Sequence, residues 1–337
     1  MKPGQLLSGL APRDWLLAET TRRIDESTGE FRLDQPATLD AARSPGTPGE
    51  RIVERARRLP GAQRLVDDIG QLLTSARWLI VVLMILGLLS GMAAASGVQT
   101  GASTIALSYA IVVLLGVPLL LLLVWALLNL RRRESASPGL PGRILWWLML
   151  LFSRRFGLAA QRRHLAAALA ELGRLRGRTL MALTTHAFWT SFFVGCIGWM
   201  WLRFLGLRFD FSWETTLLSG QWLEQLIIAI GWLPAWLFGL SLPAPEQVQE
   251  VLSSRSGPAD RRLWASYLIG ALALYGFAPR ALLALWFLRR WRRARMRLDL
   301  ARPGYLRLLP VLSGPSQAIG PRGDSTAFGK GPYEVYP

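Results

Sequence analysis

Residues 181–205 read MALTTHAFWTSFFVGCIGWMWLRFL, and this run decides the class of the protein. Its one formal charge, Arg203, lies close to its end. A helix rises about 1.5 Å per residue, so a run of this length crosses the roughly 30 Å hydrocarbon core of a bilayer. The segment therefore predicts a membrane-spanning helix with an ionisable side chain, His186, inside it.

Three further apolar runs, at 78–96, 105–130 and 263–288, are also long enough to span. The first two are separated by the uncharged turn 98–104 and predict a helical hairpin. Half of the chain is apolar, its mean hydropathy is positive, and the apolar residues are concentrated in these runs. We therefore predict an all-helical integral membrane protein with four transmembrane helices.

The distribution of arginine predicts the topology. The chain has a net charge of +17, and its arginines cluster in the segments 51–77, 131–178 and 289–297, whereas residues 203–262 are about neutral. Cytoplasmic loops of membrane proteins carry the excess of basic residues. Four spans place every basic segment in the cytoplasm, together with both termini. Arg261 and Arg262 then lie on the outer side, and the sequence does not explain them.

A fifth apolar run, interrupted by Pro234, covers residues 217–240. If it spanned the membrane, the basic cluster at 289–297 would be exported, against the charge rule. We therefore predict a re-entrant or surface-lying helix there.

The polar regions complete the division of the chain. Short helices are predicted at 15–23, 50–58 and 62–76, with a linker rich in Pro and Gly at 36–48. The expected regions are cytoplasmic N-terminal helices and linker (1–76), a transmembrane hairpin (77–130), a basic cytoplasmic loop with an interfacial helix at 144–152 (131–180), the third transmembrane helix (181–205), an outer loop with the helix at 217–240 (206–262), the fourth transmembrane helix (263–288) and a basic, partly disordered cytoplasmic tail (289–337).

The basic segments beside the spans are candidates for contact with a partner or with anionic lipid headgroups at the cytoplasmic face. The candidate side chains are Arg131, Arg132, Arg133, Arg154, Arg155, Arg289 and Arg290. Nucleic acid is not expected as a partner, because no helix-turn-helix, RNA-recognition or zinc pattern accompanies the charge. Gly87 and Gly91 have the spacing of a small-residue packing face, at which another helix can approach closely.

Ionisable residues within spans are candidates for function. His186 is either bonded to a neighbouring helix or the headgroup layer, or is a proton-sensitive or ion-contacting group. Arg280 follows Pro279 about two turns inside the fourth span. It either extends to the cytoplasmic interface or faces the bundle interior, where the Tyr275 carbonyl group, freed by Pro279, is a possible acceptor.

Asp210, Glu214 and Glu224 are the acids of the outer turn and the following helix. In an oligomer, a ring of them would attract cations at a pore mouth. In the structural alternative, Asp210 pairs with Arg208 and Glu214 caps a helix that begins at Ser212.

No catalytic pattern accompanies these residues. The chain has no glycine-rich phosphate loop and neither the His-Glu-x-x-His nor the Gly-x-Ser-x-Gly motif. Cys196 is the single cysteine, which excludes a Cys-rich metal site. We expect no enzymatic activity, no cofactor and no metal.

Several stretches resemble an uncharacterised bacterial membrane-protein family, the domain of unknown function numbered 2868. They are Ala76-Arg77-Trp78, Thr185-His186-Ala187-Phe188-Trp189, Phe209-Asp210-Phe211-Ser212-Trp213-Glu214-Thr215-Thr216 and Arg297-Leu298-Asp299-Leu300. The resemblance covers most of the chain after about residue 50. It implies a cytoplasmic partner with a GTPase domain, because such proteins are encoded beside one, and it implies no catalytic role.

Three functions follow as hypotheses. The first is a bacterial inner-membrane module that couples the cytoplasmic GTPase to the membrane and docks it on the basic faces around 50–76 and 131–178. The second is an oligomeric ion channel or transport pore, lined by the fourth span or the 217–240 segment and gated by that GTPase. The third is a passive membrane anchor. We expect a homo-oligomer.

Overall fold

The structure is a computed structural model that describes residues 9–33, 35–100, 103–131, 162–213, 220–252 and 258–313. Several predictions lie outside these residues, namely the interfacial helix at 144–152, the cap at Glu214 and the contacts of Arg132, Arg133, Arg154 and Arg155. Arg131 is the last residue of its helix.

The described elements are mainly helices, with three short strands. In chain order they are α1 (Pro12–Thr28), α2 (Pro36–Arg43), α3 (Pro48–Arg58), α4 (Ala62–Gly97), β1 (Gln99–Thr100), β2 (Thr104–Ala106), α5 (Leu107–Ala110), the π-helix π1 (Ile111–Gly116), α6 (Val117–Arg131), α7 (Arg162–Gly206), β3 (Asp210–Ser212), α8 (Gly220–Phe238), α9 (Pro245–Leu252), α10 (Pro258–Ala271), the π-helix π2 (Leu272–Phe277), α11 (Ala278–Arg293) and α12 (Pro303–Ser313).

Four helical stretches are long and apolar enough to cross a membrane, which confirms the predicted class. The first span lies in α4, the second comprises α5, π1 and α6, the third lies in α7, and the fourth comprises α10, π2 and α11. Many of their large apolar side chains are exposed, as lipid contact requires; Leu86 and Leu89 of α4 are examples. The shorter apolar helix α8 is not among the four.

Two predicted helix boundaries are wrong. The helix predicted at 62–76 and the first span form one helix, α4, and the third span, predicted to begin at residue 181, is the second part of α7, which begins at Arg162. Neither junction contains a proline, and the single Gly177 costs a helix only about 1 kcal/mol. The charges at Arg77 and Arg178 interrupt the apolar run but do not end the helix.

The chain forms two compact units. The terminal unit contains residues 1–70, 159–169 and 295–337, and the membrane unit contains residues 71–158 and 170–294. The boundary between them falls within α4 and within α7, so both helices contribute residues to each unit.

The terminal unit corrects one prediction, because the segment 36–48, predicted as a linker, contains α2. The tail, predicted to be partly disordered, contains the packed helix α12, in which Tyr305 and Leu312 are fully buried. The linker was predicted because the segment 36–48 is rich in proline. Pro36 and Pro48 occupy the first turns of α2 and α3, where the missing N–H group costs nothing and the fixed φ angle favours the helix.

Buried ion pairs hold the terminal unit together. Glu19, which is 1% exposed, accepts hydrogen bonds from Arg22, from Arg302 (2.7 Å) and from the Tyr305 hydroxyl group (3.1 Å). Burial and the Glu19 charge raise the pKa of Tyr305, so its hydroxyl group keeps the proton that it donates. We call these four side chains the Glu19 cluster.

A second network is built on Arg55, which is 1% exposed. Its three nitrogens donate to the Asp25 carboxylate (2.8 Å), the Phe31 carbonyl group (2.6 Å) and the Thr38 hydroxyl group (3.1 Å). Every buried nitrogen of this guanidinium group therefore has an acceptor.

A small sheet replaces the predicted turn at 98–104. β1 and β2 pair antiparallel with Gln99 opposite Ile105, and β2 and β3 pair parallel with Ile105 opposite Phe211. Backbone groups that leave a helix at the membrane boundary need hydrogen-bond partners, and the sheet supplies them. We call this end of the four spans the sheet end, and the opposite end, where Arg131 and residues 289–293 lie, the basic end.

Candidate functional site

Two π-helices interrupt the second and fourth spans and lie against each other. Each ends in the same way. The N–H group of Val117 donates to the carbonyl group of Val112, five residues back, and that of Ala278 donates to the carbonyl group of Ala273. A proline follows each donor, Pro118 in the second span and Pro279 in the fourth.

The prolines explain the widened turns. A proline in a helix has no N–H group to donate, and its ring clashes with the carbonyl group four residues earlier. A π-turn moves that carbonyl group away and is itself common at functional sites. The repeated pattern therefore builds two weakened turns side by side in the second and fourth spans, at the two prolines where the sequence predicts a kink.

Arg280 lies beside these turns and is 2% exposed. Its Nη2 atom donates to the carbonyl oxygen of Pro118 at 2.7 Å, and its guanidinium group lies over the Trp189 ring, 5.1 Å from the centroid. Of the two alternatives for Arg280, the structure has the interior-facing one. The acceptor is the Pro118 carbonyl group of the neighbouring span rather than that of Tyr275.

Arg280 has no ionic partner in the part of the chain that the structure describes, since no carboxylate there forms an ion pair with it. A carbonyl dipole and an aromatic face stabilise a cation less than a carboxylate does. The guanidinium group is thus retained in the bundle at an energetic cost, which is typical of functional charges inside membranes.

His186 is fully buried near the basic end. Its ring stacks on Phe287 with the centroids 5.8 Å apart and meets the Trp125 ring edge-on at 4.5 Å. Neither ring nitrogen has a hydrogen-bond partner among the described residues. The structure therefore shows an aromatic enclosure, and it records no bond from His186 to a neighbouring helix.

The two ionisable groups occupy successive layers of the same three spans. Phe287 and Arg280 are seven residues apart in the fourth span, and Trp125 and Pro118 are seven residues apart in the second. Seven residues of helix correspond to about 10 Å. The third span supplies His186 to one layer and Trp189 to the other, so spans two, three and four form a continuous polar and aromatic column, which we call the Arg280 column.

Glycines bring the first and third spans into backbone contact. A Cβ atom on Gly87 would lie 2.6 Å from the carbonyl oxygen of Phe188, and one on Gly91 would overlap the carbonyl oxygen of Phe192. In the third span, a Cβ atom on Gly195 would likewise overlap the carbonyl oxygen of Leu88. Gly87 and Gly91 were named from their spacing, whereas Gly195 was missed, although Ser191 and Gly195 have the same small-residue spacing.

The helix α8 is tied to the fourth span by the hydroxyl groups of two tyrosines, and the sequence predicts neither contact. Tyr275 donates its hydroxyl hydrogen to the carbonyl oxygen of Ile230 (3.0 Å), and Tyr267 donates to that of Ile227 (2.9 Å). Pro234 is four residues after Ile230 and cannot bond that carbonyl group, so the tyrosine satisfies it.

The remaining candidates lie apart from the Arg280 column. Asp210 of β3 accepts a hydrogen bond from Arg261 Nε at 2.6 Å and so pairs with Arg261, not with Arg208 as the structural alternative had it. Glu224 lies in α8, and within the described residues no hydrogen bond joins it to Asp210. Arg289 and Arg290 are exposed at the end of α11, where Arg290 lies over the Trp286 ring. In the described ranges, no group of three or more His, Cys, Asp or Glu residues could hold a metal ion.

The fold and the buried column define a multi-span helical membrane protein. Residues 149–330, more than half of the chain, match the family model described as "Protein of unknown function (DUF2868)". The chain belongs to this family, as the resemblance in its sequence indicated.

Among curated proteins, the chain is similar to an uncharacterised membrane protein of Neisseria meningitidis serogroup B, NMB1645. The two are 26% identical over 271 residues, which cover 79% of this chain and 57% of the relative. The chain thus spans little more than half the length of that protein. No solved structure matches the chain.

Proposed function

We propose that the protein is a bacterial inner-membrane module that couples a cytoplasmic GTPase partner to a rearrangement of its transmembrane helices. The observation that carries the proposal is Arg280, a buried cation that joins the second and fourth spans through a single hydrogen bond to the Pro118 carbonyl group. The GTPase partner comes from the family resemblance.

Three features of the Arg280 column support a movable contact. The two π-turns lie next to the bond, and π-turns and prolines are where helices bend. The cation has no carboxylate to fix it among the described residues. His186, one layer closer to the basic end, has no hydrogen bond to lose when the aromatic side chains around it shift. A separation of the second and fourth spans at this point therefore breaks one hydrogen bond of Arg280 and no ion pair among the described residues.

The topology that we propose places the basic end and both termini in the cytoplasm. Arg131, residues 289–293 and the exposed Arg174 belong to that end, and the positive-inside rule favours it. The basic faces around 50–76 and 131–178 then meet anionic headgroups or dock the partner, as the charge pattern predicted.

The first experiment tests the partner. The tagged full-length chain is purified from native membranes with a non-hydrolysable GTP analogue or with GDP, and the neighbouring GTPase-domain protein is sought in the eluate. We expect capture that depends on the nucleotide and that is weakened by neutralising Arg131, Arg132 and Arg133. Failure to capture the protein in either nucleotide state would remove the GTPase from the proposal.

The second experiment tests the rearrangement. Spin labels are placed on Leu128 of α6 and Leu285 of α11, both exposed, in a Cys196→Ser background. The distance distribution should change when the partner and the GTP analogue are added, and it should change without them in Arg280→Met. If the distance distribution were unchanged in both cases, the passive membrane anchor would be the remaining hypothesis. Ion flux from liposomes containing the purified protein would favour the oligomeric channel instead.

A further inference from the structure

A pocket of about 840 Å³ lies at the sheet end of the third and fourth spans. Its polar wall contains Arg208, Arg261 and Arg262, and its apolar wall includes Phe204 and Leu205 of α7. This arrangement accounts for the two arginines that the charge rule left unexplained on the outer side. We call it the sheet-end pocket.

Among the described residues, the three arginines of the pocket have one carboxylate partner, Asp210. Asp210 binds Arg261 at 2.6 Å, and the sheet holds Asp210 in place because its N–H group donates to the Ser103 carbonyl group at 2.8 Å. Asp260 is directed to Gln247, at 2.6 Å. Within the described part of the chain, no carboxylate pairs with Arg208 or Arg262.

The apolar wall of the pocket is continuous with the lipid-facing surface of the third span. Leu205 is 72% exposed and Leu207 is 52% exposed, and both line the pocket. An apolar surface of this kind is covered by acyl chains when the span lies in a bilayer. A free anion in water would use only the arginines and would leave this wall without a role.

We propose that the sheet-end pocket binds an anionic phospholipid, with the phosphate group on the arginines and one acyl chain along the apolar wall of α7. Guanidinium groups suit this ligand, because their planar fork donates two parallel hydrogen bonds to a phosphate. Asp210 orients Arg261 for this role, and the lipid phosphate supplies an anionic partner for Arg208 and Arg262.

Photo-crosslinking on the full-length protein in liposomes tests the proposal. Phosphatidylglycerol with a photoactivatable acyl chain is compared with the matching phosphatidylcholine, and the labelled peptides are mapped. We expect phosphatidylglycerol to label the peptides around 201–211 and 261–269 preferentially. Arg208→Gln with Arg262→Gln should lower this labelling about tenfold, since a hydrogen bond to a charged group contributes enough for that ratio.

Two controls separate a specific site from general effects. Arg64→Gln with Arg174→Gln makes the same change in net charge at exposed arginines outside the pocket and should leave its labelling unchanged. Labelling along the exposed face of α4 reports bulk lipid contact and should stay constant in every variant. Arg208→Lys with Arg262→Lys keeps the positive charges and should therefore retain most of the pocket labelling. A loss of the α4 labelling together with that of the pocket would indicate misfolding, and the lysine variant then carries the test.

Two outcomes would overturn the proposal. Equal labelling by phosphatidylglycerol and phosphatidylcholine would mean that the pocket contacts bulk lipid only. Removal of the pocket labelling by soluble glycerophosphate at millimolar concentration would mean that the site takes a free phosphate and not a lipid.

Discussion

Glu19 in the terminal unit is buried against three arginines and a tyrosine, whereas Arg280 in the membrane unit is buried against a carbonyl group and a tryptophan ring. In the first case each charge has an opposite charge in hydrogen-bond contact. In the second, the charge has only dipoles, and the ring nitrogens of His186 nearby have no hydrogen-bond partner among the described residues.

The difference indicates what each group is for. A buried carboxylate with several donors fixes one arrangement of the helices that supply them, because any other arrangement leaves a charge unpaired. A cation held by one carbonyl group restricts the arrangement of the helices much less. Cohesion in the membrane unit comes instead from backbone contact at Gly87, Gly91 and Gly195 and from the tyrosine bonds to α8. Four substitutions test this contrast, in order of decreasing effect on stability.

Glu19→Ala should have the largest effect. It removes the shared acceptor of the buried Arg22 and Tyr305 side chains and of the partly exposed Arg302, and the loss of one partner of a buried pair costs about 3–5 kcal/mol. Urea-dependent pulse proteolysis of the full chain, followed by cleavage within residues 12–58, measures the change in the free energy of unfolding.

The control for Glu19→Ala is Glu54→Ala, which removes an exposed ion pair with Arg58 (2.8 Å). It should change the free energy of unfolding by less than about 1 kcal/mol. If the two variants lost equal stability, the Glu19 cluster would not hold the terminal unit together.

Gly91→Ala should follow, with a loss of about 1–3 kcal/mol. The new methyl group meets the Phe192 carbonyl oxygen and the Cys196 nitrogen, which are backbone atoms and cannot turn aside, so the first and third spans must separate. Gly198→Ala is the matched control, because a Cβ atom there meets nothing within 4 Å. Thermal unfolding in detergent should show a loss for Gly91→Ala and none for Gly198→Ala. Equal behaviour would contradict packing through glycine.

Tyr275→Phe should cost about 1 kcal/mol, the usual net value of one hydrogen bond. The Ile230 carbonyl group then has no donor, since Pro234 cannot replace the tyrosine. Tyr109→Phe is the control, because Tyr109 is half exposed. Protease accessibility of α8 in the purified protein should rise for Tyr275→Phe alone. A rise in both variants would show that the bond does not hold α8.

The class of the fold could be predicted from the sequence because it depends on local properties. The length of an apolar run and the charges beside it identified four spans, and the rule that ionisable residues inside spans are exceptional identified His186 and Arg280. Features that depend on pairing across the chain could not be predicted in this way. The strand at 104–106 meets the strand at 210–212 only in the folded protein.

The partners of the candidate residues were hidden for the same reason. Trp125 and Phe287 carry no signal of their own, and Pro118 predicts a kink but not a contact with Arg280. All three matter because the packing of three spans brings them to Arg280 and His186. One signal was available, however. A proline follows each donor that ends a π-turn, and this repetition in two spans was a recognisable reason to expect paired weak turns.

Of the four substitutions, Arg280→Met should change the free energy of unfolding least and the distance between the second and fourth spans most. The substitution removes the hydrogen bond to the Pro118 carbonyl group, but it also removes a buried cation, and a methionine of similar length fills the space beside Trp189. Because these two effects oppose each other, the free energy of unfolding should change by less than about 1 kcal/mol in either direction. The spin-label distance between Leu128 and Leu285 should nevertheless change, since the bond between the second and fourth spans is gone. Arg280→Lys, which keeps the charge and one donor, should leave that distance closer to that of the unaltered protein. A loss of 3 kcal/mol or more in Arg280→Met would place Arg280 with Glu19, as a charge that holds the fold rather than one that allows it to move.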